Sequence, residues 1–192
     1  MMEPRIREID IRGYLRRLGA ILDVYTAAMD PPFEQLPGRR TIMERHATYP
    51  AFRAFVAERR RNVVGFVYGF HGELGQWWHD VVYHALTEAG GSGHAGVWLT
   101  DPFEVAELHV HPDYQGRGIG RRLLEEVCAG RPEATVVLSA LDQPGSRARR
   151  LYQSVGMTDL LTDFEFPGGG PRYAVMAAPL PLAAKASTPT SA

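Results

Sequence analysis

The sequence predicts a mixed α/β domain whose mostly antiparallel central sheet is flanked by helices, and three observations carry that prediction. Apolar runs of strand length occupy 51–58, 62–71, 134–140, 157–166 and 172–178, and two pairs of them are joined by short charged or glycine-rich turns. Ile11, Tyr14, Leu15, Leu18, Ile21, Leu22 and Tyr25 recur at three- and four-residue steps, which marks an amphipathic helix. Glu104 to Cys128 runs as a strand, a glycine-rich turn and a helix in immediate succession.

Taken in order, Glu3 to Asp10 forms a short first strand, and the helix after it ends near Met29 because Pro31 and Pro32 disfavour helical geometry before them. A loop over 30–40 leads to a second short helix over 41–48. The strands 51–58 and 62–71 form a hairpin around Arg59-Arg60-Arg61, and Gly65 and Gly69 make room in the second of them for close approach. Leu74, Trp77, Trp78, Val81, Val82, Ala85 and Leu86 make a further helical stripe, closed by Gly90-Gly91-Ser92-Gly93, with both tryptophans assigned to the core rather than to a pocket wall. Residues 96–102 add a short strand or a loop.

Val105 to Val110 is the next strand, stopped by Pro112, and the helix after it buries Ile119, Leu123, Leu124, Val127 and Cys128. The strand 134–140 lies parallel to 105–110, with that helix as the crossover. Ser146 caps a helix with inward stripe Ala148, Leu151, Tyr152 and Val155, and two antiparallel strands around Pro167 to Pro171 close the domain.

At 192 residues without a break in composition, one domain over 1–178 is expected, with a flexible tail over 179–192 rich in Pro, Ala, Ser and Thr. A net charge of −1 gives no basis for a nucleic-acid partner. No apolar run approaches the roughly 20 residues of a membrane span, and the start lacks a signal-peptide core, so a cytoplasmic protein with no membrane partner is expected. A homodimer is compatible with this reading. The single cysteine, Cys128, lies on an apolar stripe and is assigned to the core.

Glycines at 116, 118 and 120 place a helix start inside a glycine run, where unpaired N–H groups and the macrodipole suit a phosphate. A P-loop is excluded, because the only lysine is Lys185. A dinucleotide fingerprint fails as well, because its third glycine falls on Arg121. His109 and His111 share a strand face but lack a third ligand at recognisable spacing, so no metal is expected.

Gln115-Gly116-Arg117-Gly118-Ile119-Gly120 fits the Gln/Arg-x-x-Gly-x-Gly/Ala pattern of the GCN5-related N-acetyltransferases, and Ala148 to Met157 fits that family's Ala-x-x-Leu-Tyr-x-x-x-Gly-Phe element. The chain resembles the family over roughly 3–178. The resemblance implies a sheet splayed where acetyl-CoA enters, and makes the helix over 74–86 an insertion before the cofactor strand. It implies acetyl transfer from acetyl-CoA to a primary amine of a small molecule or peptide by direct attack. Gln115, Gly116, Arg117, Gly118, Ile119, Gly120 and Arg121 would grip the diphosphate. Leu108, His109 and Val110 would pair with the pantetheine arm, with the Val110 N–H offered to the thioester oxygen.

Tyr152 matches the tyrosine that protonates the departing sulfur. Glu104 and Glu107 are the two candidates for the base. Their odd spacing puts them on opposite sheet faces, and Glu107, nearer the thioester, is preferred. Gly145 stands where the family often has Asn, and Ser146 is its possible substitute. That departure leaves a non-catalytic acyl-CoA sensor of the same fold as the alternative.

Overall fold

Asp10 ends the first strand and starts the first helix: its carboxylate accepts the Gly13 N–H at 2.6 Å, supplying one of the partners the helix cannot supply itself. In this computed structural model, which describes residues 3–183, β1 (Arg5–Ile9) leads into α1 (Ile11–Met29). Asp30, in the left-handed region at φ 46°, stops that helix ahead of the two prolines. The next helix, α2 (Leu36–His46), begins five residues earlier than expected because Pro37 occupies its first turn, where a missing N–H is harmless. The hairpin of β2 (Arg53–Arg59) and β3 (Asn62–His71) closes on Arg60 and Arg61 alone, both at positive φ as a two-residue turn demands.

The inserted segment folds as two helices. α3 (Trp77–Gly90) stops where Gly91 takes φ 83°, and the chain re-enters helix as α4 (Ser92–Leu99), in place of the short strand or loop expected over 96–102. β4 (Pro102–Val110), α5 (Ile119–Cys128), β5 (Thr135–Leu141), α6 (Arg147–Gln153), β6 (Thr158–Phe164) and β7 (Tyr173–Pro179) follow as the periodicity predicts. Of the segment 179–192 expected as a tail, Leu180 and Leu182 pack against the core, and 184–192 lie outside the described residues. No described helix is long and apolar enough to cross a membrane.

The seven strands form one sheet in the order β1-β2-β3-β4-β5-β7-β6, antiparallel throughout except for β4 and β5. One face is covered by α5 and α6, whose Leu123, Leu124, Val127 and Tyr152 pack on Val67, Phe103, Val136 and Met176. Cys128 is buried in this layer, and desolvation pushes its thiol up to about 12. The opposite face is split. α1 and α2 cover β1–β4 through Tyr14, Leu18, Ile21 and Met43, while α3 and α4 cover β5–β7 through Val82, Leu86, Ala95 and Leu99.

Two irregularities lie on the line between those halves. The parallel ladder joins Pro102, Phe103 and Glu104 to Thr135, Val136 and Val137, and then stops, so β4 and β5 diverge beyond Glu104. On the other edge of β4, Tyr68 pairs with Glu107 and Gly69 with Val105, which leaves Ala106 as the extra residue of a β-bulge. Gly69 sits opposite the bulge, where a Cβ would meet Glu104 O at 2.4 Å and the Phe103 ring at 2.6 Å. Gly69→Ala should therefore cost about 1–3 kcal/mol of stability through forced overpacking, measured by urea denaturation; an unchanged midpoint would contradict the tight approach.

Candidate active site

A bulge resets the alternation of side chains along a strand, and here it changes which carboxylates share a face. Partners across a ladder point the same way. Glu104 pairs with Phe70, Glu107 with Tyr68 and His109 with Phe66, and all three aromatics belong to the layer under α1 and α2. The expectation that Glu104 and Glu107 occupy opposite faces is thus corrected: Ala106 brings both onto the face that divides between the two helical layers.

The two carboxylates have different surroundings. Glu107 accepts from Arg39 Nη1 at 2.9 Å, and its other oxygen lies 2.5 Å from His109 Nε2. Burial opposes its charge, but the hydrogen bond and charge of His109, with Arg39, hold it below the usual carboxylate range. Arg39 also stacks over Tyr25 with its guanidinium carbon 5.0 Å from the ring centre. His46, from the same helix as Arg39, lies 3.0 Å through Nδ1 from the Tyr68 hydroxyl, and burial lowers its pKa to about 4. Glu104 is 4% exposed, its Oε2 has no partner among the described residues, and desolvation alone pushes it up to about 8.

On the other side of β4 lies a cavity of about 460 Å³. Its floor is the open edge of the strand. His111 donates its N–H to Val64 O of β3 at 2.9 Å, and N–H groups alternate along a strand, so those of Leu108 and Val110 point away from β3 into the gap left by β5. Gln115 Nε2 caps Val110 O at 2.9 Å. The cavity continues along Gly116, Gly118, Ile119, Gly120 and Arg121. Gly116 and Gly118 hold φ 73° and 76° with open space where a Cβ would be, and Gly118 starts α5 without a side-chain cap. The first N–H groups of α5 thereby face the cavity with no intrahelical partner. These features fit a diphosphate with its pantetheine arm.

Tyr152 forms the far wall, 6% exposed, with its phenol raised by burial and by the charge of Glu107. Ala148, Leu151 and Ser154 complete that wall, with Arg147 and Arg150 at the rim. Those two arginines and Tyr114 escaped the sequence reading, because a charged surface residue carries no spacing signal until the helix bearing it is placed. The side chains of three predicted cofactor residues do not line this cavity. The His109 side chain faces Glu107, Arg117 donates to Asp113 O at 2.9 Å and stacks over Tyr114, and Ser146 caps α6 by accepting the Arg149 N–H at 3.3 Å. Ser146 lines a neighbouring hollow with Asp142 and Arg149 instead.

A sheet that opens beyond a parallel pair, a glycine cradle at the opening and a tyrosine across it define a cofactor-entry architecture. Residues 50–156 match the profile of the acetyltransferase (GNAT) domain family, and the chain belongs to that family. It is 39% identical over 123 residues to a GCN5-like protein acetyltransferase of Mycobacterium tuberculosis, a match that covers 62% of this chain and 60% of that protein. The ribosomal-protein-S18-alanine N-acetyltransferase of Escherichia coli superposes with a TM-score of 0.62 at 18% identity, covering 96% of this chain and 99% of that one. Aminoglycoside 6'-acetyltransferase type Ii gives a TM-score of 0.60 at 18% identity, covering 91% and 96%.

The raised carboxyl has a consequence for stability. Between its ordinary value of 4.5 and about 8, Glu104 ionises in the unfolded chain but keeps its proton in the folded one. Its contribution is therefore fully present below the unfolded value and is lost as pH rises through the folded one. The stability of Glu104→Gln relative to the native chain should grow by about 1.4 kcal/mol per pH unit across that window, measured by urea denaturation; a difference independent of pH would contradict the shift.

Proposed function

We propose that this chain transfers an acetyl group from acetyl-CoA to a primary amine by direct attack. The observation that carries this reading is the end of the β4–β5 ladder at Glu104, which leaves the Leu108–Val110 edge of β4 open beside the glycine cradle in one cavity. Acetyl-CoA supplies the activated acyl thioester. The first N–H groups of α5 hold its diphosphate, with Arg147 and Arg150 adding positive charge at the rim. The Leu108 and Val110 edge aligns the pantetheine arm, and the Val110 N–H is the donor for the thioester oxygen as negative charge develops on it.

The acceptor arrives from the carboxylate side. For the amine to form its bond to the acyl carbon, its nitrogen must be neutral, and a base must take its proton. The earlier preference for Glu107 gives way to Glu104, because both oxygens of Glu107 are already engaged by Arg39 and His109. Glu104 keeps one oxygen free among the described residues, and its ionised form, which predominates only above about 8, is a stronger base than a carboxylate near 4.5 and takes the amine proton. As the carbon–sulfur bond breaks, Tyr152 delivers its proton to the sulfur. A phenol raised by burial holds that proton across neutral pH. A small-molecule or peptide amine fits equally well with this geometry.

Tyr152→Phe tests the reading. It removes the acid but not the ring, so kcat should fall about 100-fold while the affinity for acetyl-CoA, read by calorimetry, stays close to that of the native chain. Native turnover in the variant would overturn the acid role. Release of free CoA thiol on an amine panel separates a transferase from an acyl-CoA sensor: binding without release with any amine would replace the first by the second.

A further inference from the structure

Glu107 and His109 have no part in the proposed proton transfers, yet both belong to a closed circuit beside the coenzyme edge. Glu107 is held ionised and can only accept, so His109 donates to it through Nε2 at 2.5 Å and Arg39 through Nη1 at 2.9 Å. The Arg39 guanidinium lies over Tyr25, 5.0 Å from the ring centre, and Tyr25 packs edge-on against His109 at 5.3 Å. Four side chains from α1, α2 and β4 thus close on one another. The inserted α3 is occupied elsewhere: Trp78 donates to Ser139 Oγ at 3.2 Å within its own layer, and Trp77 is 57% exposed, which corrects its assignment to the core.

The helix that brings Arg39 is itself fixed to the sheet. Arg39, Met43 and His46 stand at i, i+4 and i+7, on one face of α2. Met43 is fully buried, and His46 lies 3.0 Å from the Tyr68 hydroxyl.

On β4 the circuit brackets Leu108. Glu107 and His109 share one face, while Leu108, between them, lines the coenzyme cavity with Val110. This stretch has less support than a central strand usually has. β3 pairs with it along one edge, but the ladder to β5 has already ended at Glu104. Leu108 and Val110 pack on the α5 layer only in part, because they also wall the cavity. The face that carries Glu107 and His109 therefore has to hold the strand against tilting. A bond between side chains i and i+2 also fixes the pleat between them, and with it the direction of the intervening N–H. Net stability does not account for the circuit, since a buried ion pair adds little over apolar residues of the same volume.

We propose that Arg39 is a positioning residue for acyl transfer: through Glu107 and His109 it braces the Leu108–Val110 edge, so that the Val110 N–H stays aimed at the thioester oxygen. The inference rests on the transferase reading for the identity of that donor. It adds to the reaction a side chain that does not line the coenzyme cavity.

Arg39→Met tests the brace, because it removes the donors and keeps an unbranched stem over Tyr25. With whichever amine of the panel the native chain uses, kcat should fall about 10-fold, less than the loss of an oxyanion donor outright because the N–H is loosened rather than removed. Affinity for acetyl-CoA should stay close to native, and Arg39→Lys, which restores one donor, should recover much of the rate. Isotope-edited infrared spectroscopy of the thioester carbonyl gives a readout that needs no amine. Bound to the native chain, acetyl-CoA should absorb below its frequency in solution, and in Arg39→Met the band should move back and broaden. If leaving Glu107 without its cation unfolds that variant, Arg39→Met/Glu107→Gln removes the stranded charge and carries the same expectation. A native-like band in the folded variant would overturn the proposal, whatever happens to kcat, and leave the transferase reading intact. A native band identical to that of free acetyl-CoA would remove the Val110 donor from the transferase reading, and the brace with it.

Discussion

The parallel pairing of β4 and β5 must stop after Glu104, and most of the functional architecture depends on that stop. Three rungs hold the two halves of the sheet together. Beyond them the backbone of β4 is left with an unused edge, which in a closed sheet would have been satisfied by its neighbour. The unused edge and the glycine cradle follow one another in sequence, and they line one cavity because the strands part beside them. Hydrophobic layers on either side hold the parting open: α5 and α6 behind, and α1–α2 and α3–α4 in front.

The bulge at Ala106 is the second device, and it acts on electrostatics. Without it Glu104 and Glu107 would be separated by the sheet. With it they share one low-dielectric face, and the protein neutralises each by a different means. Glu107 keeps its charge and acquires two cationic or hydrogen-bonding partners. Glu104 keeps its proton, because burying an unpaired carboxylate costs more than giving up its charge. Two identical side chains three residues apart thereby hold different protonation states, which is the arrangement a site needs to separate a structural charge from a reactive one.

Much of this was legible in the sequence. The strand, glycine run and helix over 104–128, the crossover to 134–140, the capping role of Ser146 and the terminal hairpin all follow from local spacing, since each is set by residues within a few positions of one another. The failures share a cause. A bulge leaves no mark in a six-residue apolar run, so period-two reasoning misplaced Glu107. Composition alone places Pro37 in a loop, yet it serves as a first-turn residue, and the glycines after Gly90, which on spacing end a helix, divide two helices. Trp77 and Trp78 differ only in which side of α3 meets the sheet, and that depends on tertiary contact with Phe166 and Ser139.

Cys128 gives the protein an unusual silence toward thiol chemistry. Its sulfur is the only one of its kind in the chain, sealed beneath α5 and held in the protonated form far above neutrality. Alkylating and disulfide reagents need a thiolate they can reach. In the native fold they meet none, so a disulfide cannot link two copies of this chain through Cys128 unless the layer beneath α5 opens first.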